Sequence, residues 1–338
     1  MNKSILATLL LLACFAACKT DKKTESQTTE GGQSTPAAST APAFNADSAY
    51  NYVAQQVAFG PRVPNTPAHV RGGDYLVAKL KQFGFAVTEQ KFAAKTWDGK
   101  TLNARNIIGS LNPQATKRIV LASHWDSRPR SDQDTTEADR TDPVLAANDG
   151  ASGVGVLLEL ARAIQQAKAK PTVGIDIVFF DAEDWGDGDK AVGDKEPGSD
   201  FDYIGFCLGS RHWAKNPVPA TKAYYGILLD MVGAKGATFA KEGYSMQYAP
   251  SIVNQVWQTA SQLGYSQFFV DTPGGAITDD HIAPNLIAKI PMIDIIHTNP
   301  QTGGFFHAWH TNEDTMDNID RATLKAVGQT LLQTLYNE

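Results

Sequence analysis

Short apolar runs alternate along the chain with longer stretches whose apolar residues recur every three or four positions. The runs Asn106–Leu111, Arg118–Ser123, Ile175–Asp181, Tyr225–Met231 and Pro291–Ile296 have strand length and predict β-structure. The longer stretches Ala46–Phe59, Ala68–Phe83, Ala151–Gln166, Ile252–Leu263, His281–Ala288 and Arg321–Asn337 predict helices. In Ala151–Gln166, Val154, Leu157, Leu158, Ala161 and Ile164 share one face and would cover a sheet. Strands so apolar along their whole length belong to a sheet buried on both sides. The order therefore predicts an α/β fold, a central mixed sheet between layers of helices. In such folds sites form beyond the carboxyl ends of the strands.

The first residues follow another pattern. Met1-Asn2-Lys3-Ser4 precedes an apolar run from Ile5 to Ala17 that only Thr8 interrupts, the form of a secretory signal. Phe15-Ala16-Ala17-Cys18 resembles a bacterial lipobox, which predicts a signal peptide over 1–17 and a lipid-anchored Cys18. Leu11-Leu12-Ala13-Cys14 is a competing site, and simple secretion after Ala17 is the plainer alternative. The expected location is the outside of a bacterial membrane, facing the periplasm or the cell surface. Residues 18–43, rich in Ser, Thr, Pro and Gly and without large apolar side chains until Phe44, read as a flexible tether. Residues 44–338 read as a single catalytic domain.

Composition narrows the chemistry. A net charge of −6 and a pI near 5.7 argue against nucleic acid as a partner. With no basic block in the body, the membrane is expected only through the lipid anchor. Cys207 is the one cysteine of the mature body, so no disulfide forms within it, and its apolar neighbours suggest packing.

Acids and histidines cluster where strands end. His124-Trp125-Asp126 follows one strand, and Asn148-Asp149-Gly150 opens a helix. Glu183 and Asp184 close the run VFFDAEDW, and Asp230 closes another strand. Asp279-Asp280-His281 precedes another helix, and Trp309-His310-Thr311 lies in the loop before the last one. Adjacent carboxylates repel and raise each other's pKa unless a cation intervenes. Zinc takes imidazole and carboxylate ligands, so Asp149, Asp184 and His310 are candidate ligands, with a fourth position left for substrate or water. Glu183 would then keep a proton-accepting role. Each feature has a plainer reading: an acidic pair is often a solvated turn, and Asp149 before Gly150 is a candidate helix cap. Joint occurrence at successive strand ends favours the site.

The motifs HWD, NDGASGVGVLLELAR, FFDAEDWG, GSRHWA, LLDMVGA, DDHIAP and WHTNEDTMDNID occur in the order found in zinc aminopeptidases and the related glutaminyl cyclases. The resemblance runs from about Tyr50 to the C-terminus. It implies the aminopeptidase-type three-layer α/β/α sandwich with a largely parallel sheet. Aminopeptidases of this kind hold two zinc ions, and His124 and Asp230 stand at the second-metal positions. Glutaminyl cyclases use one, matching Asp149, Asp184 and His310. Trp309 in WHT, the stretch GSRHWA and the doubled aspartate at Asp279-Asp280 favour the cyclase. Asp184 stands where animal cyclases have glutamate, and a tryptophan those enzymes carry beyond the acidic pair has no clear counterpart. The insertion DGDKAVGDKEPGSD reads as a surface loop rather than a calcium-like oxygen cluster, since it lacks EF-hand spacing.

The resemblance thus implies a glutaminyl-peptide cyclotransferase with one Zn2+ per chain. It would act on N-terminal glutaminyl peptides or proteins, forming pyroglutamate and releasing ammonia. Glu183, Asp230 and Asp279 are the expected catalytic residues. Trp309, Phe305 and Trp185 are the expected walls of the substrate pocket. Asp126 and Asp181 are expected to orient neighbours, cap or pair. A two-zinc aminopeptidase is the alternative.

Overall fold

The computed structural model describes residues 41–188, 205–220, 222–299 and 302–338. The expected signal peptide, most of the expected tether and the body of the Gly- and Asp-rich insertion lie outside the described residues. Residues 38–338 form one compact unit. None of the helices among the described residues is long and apolar enough to cross a membrane.

Six strands build the main sheet: β1 (Ala86–Lys95), β2 (Thr101–Leu111), β3 (Arg118–His124), β4 (Gly174–Phe180), β5 (Tyr225–Asp230) and β8 (Met292–Ile296). They lie in the order β1-β2-β4-β3-β5-β8. β4, β3, β5 and β8 run parallel, while β2 is antiparallel to both β1 and β4. This is the expected mixed, largely parallel sheet, and its parallel strands all end on one edge. A short pair, β6 (Phe239–Lys241) and β7 (Phe269–Pro273), stands apart from it.

Alternate residues of the buried strands feed two cores. Ile119, Leu121, Ile175, Ile177, Phe179, Ile227 and Leu229 point into a large core with α1 (Ala46–Val57), α2 (Pro67–Gln82), α3 (Ala151–Gln166), α6 (Pro250–Gln262) and α7 (Arg321–Tyr336). Val120, Ala122, Val178, Phe180 and Leu228 face a smaller core that includes Cys207 and Trp213. That core is covered by α4 (Leu208–Lys215) and α5 (Gly243–Tyr248). Helices on both faces of one sheet make three layers.

The departures from the predicted elements have local causes. β1 was not predicted because it is an edge strand whose polar residues face solvent on both sides. It pairs with β2 through the turn Thr96–Lys100, where Gly99 has φ 80°. The helix predicted over His281–Ala288 shrinks to a π-type turn, Pro284–Ala288. Pro284 brings no N–H, and the Asn285 amide bonds His281 O at 2.9 Å and Met292 O at 2.8 Å, tying the segment to β8 instead.

Candidate active site and metal centre

The parallel strands deliver the site to their shared edge. His124 ends β3, Asp230 ends β5, and Glu183 and Asp184 lie just past β4. Several residues here have left-handed backbones that a side chain disfavours: Ala182 (φ 54°), Cys207 (55°), Met231 (49°) and His310 (57°). Such strain persists only where the surroundings fix it, and here it aims the acidic pair, Asp230 and His310.

Asp149 is not a helix cap. Gly150 occupies the cap of α3 with φ 87° and no side-chain bond. A Cβ there would lie 2.8 Å from the His124 ring, so only glycine lets the two chains approach. The Asp149 backbone is held by Asp314, whose carboxylate accepts from Asn148 N at 2.8 Å and Asp149 N at 3.0 Å. That leaves the Asp149 carboxylate free to face His124 and His310.

Asp149, Asp184 and His310 come together. His310 Nε2 lies 3.1 Å from Asp184 Oδ1 and 3.6 Å from Asp149 Oδ2. In a tetrahedral site with bonds of roughly 2 Å, ligand atoms stand about 3.3 Å apart. All three residues are buried, and Asp184 Oδ2 has no hydrogen-bond partner among the described residues. Burial keeps the His310 imidazole below its ordinary pKa, so it is a neutral nitrogen donor. Burial and the Asp184 charge push Asp149 up to about 7, the mark of carboxylates crowded without a cation. The residues present fit zinc. A second set, His124, Asp149 and Asp230, gathers as tightly and shares Asp149. His124 Nε2 stands 2.9 Å from Asp149 Oδ1 and 3.2 Å from Asp230 Oδ1.

The two halves of the acidic pair have different surroundings. Asp184 is buried and takes Arg128 Nη1 at 3.0 Å. Burial opposes its charge, but His310 and Arg128 outweigh it and pull the carboxyl down to about 2. Glu183 is half-buried and faces another group of acids. Burial pushes its carboxyl well above the usual range; His124 pulls the other way, and Asp184, Asp279 and Asp280 add to the rise. Asp126 holds both from below, accepting from Glu183 N at 3.1 Å and Asp184 N at 3.2 Å. Asp181 pairs with His69 at 2.9 Å instead of joining the cluster, and the His69 ring stacks on Trp125.

The aromatic residues divide. Trp309 stacks on the His310 ring at 3.7 Å, and Phe305 lies 4.8 Å from Trp309. Trp185, expected in the same wall, makes its contacts with the β1–β2 hairpin. Its indole donates to Asp98 at 3.2 Å, lies under Lys100 and packs in a satellite core with Val63, Leu102 and Leu208. The turn after Asp184 carries it towards the β1–β2 hairpin.

Sequence reasoning missed several groups that the fold brings in. Arg128 joins Asp184 to Asp132, and Asp132 reaches His310 Nδ1 at 3.6 Å. Asp294 on β8 stands behind Asp279, and Glu242 pairs at 3.3 Å with His281, the histidine already noted after Asp279-Asp280. Asp294 had a signal, a lone carboxylate inside the apolar strand MIDII. Arg128 and Asp132 had none, because their partners come from other loops.

The model of peptidase family M28 matches residues 106–335. The chain belongs to peptidase family M28. A solved Bacteroides thetaiotaomicron glutaminyl cyclase bound to N-acetylhistamine is 51% identical, with a TM-score of 0.83, covering 88% of this chain and 99% of that one. A structure described as a Zn-dependent exopeptidase, from Parabacteroides distasonis, is 54% identical, with a TM-score of 0.83 and 88% and 100% coverage. The Bos taurus glutaminyl-peptide cyclotransferase is 25% identical over 298 residues, covering 80% of this chain and 76% of its own. The likeness to glutaminyl cyclases read from the motifs therefore holds over the M28 fold, and zinc dependence agrees with the donor set.

Proposed function

We propose that the protein is a zinc-dependent glutaminyl-peptide cyclotransferase, closing the N-terminal glutamine of peptides and proteins to pyroglutamate with release of ammonia. The observation that supports it is the split of the acidic pair: Asp184 is drawn to His310 and Arg128, while Glu183, one residue away, faces the acids around Asp279. One residue serves a metal and its neighbour moves protons.

Asp149, Asp184 and His310 would hold one zinc ion per chain. When bound, zinc supplies Lewis acidity to the γ-carbonyl oxygen of the substrate. The α-amine is a good nucleophile when neutral and is tethered to its target, so the protein mainly has to orient it. Glu183 takes a proton from that amine and hands one to the departing ammonia. Asp279, pushed up to about 6 by burial and then by the Asp230 charge, takes up a proton as pH falls just below neutral. Asp279 stands beside Glu183, with Asp230 next to it, and the two help hold the tetrahedral intermediate. Trp309 and Phe305 form the aromatic wall for the glutaminyl side chain.

The test is ammonia release from Gln-initiated peptides by purified protein, with and without a chelator. Turnover that disappears with chelator and returns with zinc is expected. Cleavage of leucyl anilides without ammonia release from Gln peptides would replace this reading with the aminopeptidase one. That second reading draws on the His124, Asp149 and Asp230 cluster, and two zinc ions per chain by metal analysis would favour it.

The leader supports export, with Cys18 as lipid-anchored N-terminus after removal of residues 1–17, a tether to residue 43 and the catalytic domain from residue 44. Radiolabelled palmitate should enter the wild type and Cys14→Ser but not Cys18→Ser.

A further inference from the structure

Cys207 lies at a point the proposed reaction does not use. It is fully buried, in left-handed conformation, and starts α4. Two backbone bonds fasten it to the acidic turn: Cys207 N to Glu183 O at 2.8 Å and Leu208 N to Ala182 O at 3.1 Å. Ala182 is left-handed as well, so each strained residue braces the other chain. The thiol then donates to Glu183 Oε1 at 3.2 Å. Packing alone does not require this contact. A buried cysteine usually acts as a small apolar side chain, and the faces of Phe180, Trp213 and Val120 already supply such a setting.

We propose that Cys207 is a positioning residue for Glu183: its S–H fixes one carboxylate oxygen, so that the other is presented to the reacting amine. The inference rests on Glu183 being the proton-transfer group of the proposed reaction. Glu183 is the half-exposed member of the acidic pair, and its side chain has rotamer freedom that its one backbone bond to Asp126 does not remove. A donor inside the core, on a helix start clamped to the same turn, restricts that freedom without adding charge to a crowded group of carboxylates. Serine keeps a donor at this place and alanine removes it.

The experiment compares wild type, Cys207→Ser and Cys207→Ala, all zinc-loaded, by kinetics on a Gln-initiated peptide and by crystal structures. Cys207→Ala should lose about three- to tenfold in kcat with KM unchanged, as for loss of one hydrogen bond that orients a catalytic group. Cys207→Ser should recover most of that loss, and zinc content should match wild type in all three. In the crystals, the Glu183 carboxylate should keep its place in wild type and Cys207→Ser and turn away in Cys207→Ala. Equal losses in both variants that follow a fall in thermal stability would overturn the proposal and leave packing as the role of Cys207. So would an unmoved Glu183 in Cys207→Ala. If wild type released no ammonia but Glu183 still turned in Cys207→Ala alone, the functional reading would fail while the positioning role survived.

Discussion

Glu183 and Asp184 show how one peptide unit separates two kinds of carboxylate. Asp126 accepts both backbone N–H groups, so the turn is fixed before either side chain acts. Glu183→Gln keeps the shape and an oxygen for the Cys207 thiol, yet removes the proton acceptor. It should lower kcat by about 10²- to 10⁴-fold with zinc content unchanged by metal analysis. Arg128→Met acts on the other member. It leaves the Asp184 carboxylate buried beside a lost partner and frees Asp132, which reaches towards His310. Both partners are buried, so the loss is not screened by water; about 3 kcal/mol of stability should go in the metal-free protein, read from urea unfolding. Zinc affinity should fall roughly 10- to 100-fold as the supporting contacts loosen.

At the scale of elements, what the sequence announced follows from burial. β3, β4 and β5 are buried throughout, so their apolar runs could be read directly, as could the 16 residues of α3 with its apolar face. Candidate ligands were legible for a related reason: a parallel sheet collects the residues following its strands at one edge. β1 and α4 were not legible, one because it is polar on both sides and the other because it is short and carries Arg, His and Lys. The partners of Asp184 and Glu183 were hidden too, since Arg128 and Cys207 meet them only through folding. α4 nonetheless leaves one testable mark in GSRHWA. A Cβ on Gly209 would lie 2.2 Å from Asp181 O and 2.6 Å from Asn106 Oδ1, and the backbone oxygen has no room to yield. Gly209→Ala should therefore cost about 1–3 kcal/mol by overpacking and also lower kcat, because Cys207 moves with the helix start. A control at Gly264, where nothing lies within 4 Å of the added Cβ but φ is 82°, would report backbone strain alone.

For the whole molecule, the site is a store of unfavourable charge that the fold holds together for function. Without metal, burial raises Asp149 to about 7, Asp314 to about 7 and Asp279 to about 6, from an ordinary 3.8. Each folded carboxyl thus binds its proton more tightly than the unfolded chain does. Their contribution to stability is present below about pH 4 and is lost as pH rises through 6 to 7. The metal-free protein should accordingly melt lower at pH 8 than at pH 5, by at least about 5 °C in calorimetry. Zinc works in the opposite sense, because its ligands must be deprotonated and the ion binds the native fold alone. The gap in melting temperature between zinc-loaded and stripped protein should widen from pH 5 to pH 8. A gap that stays constant would mean that Asp149 is ionised throughout in the stripped protein, and that the crowding of acids at the strand ends is relieved by something other than a bound cation.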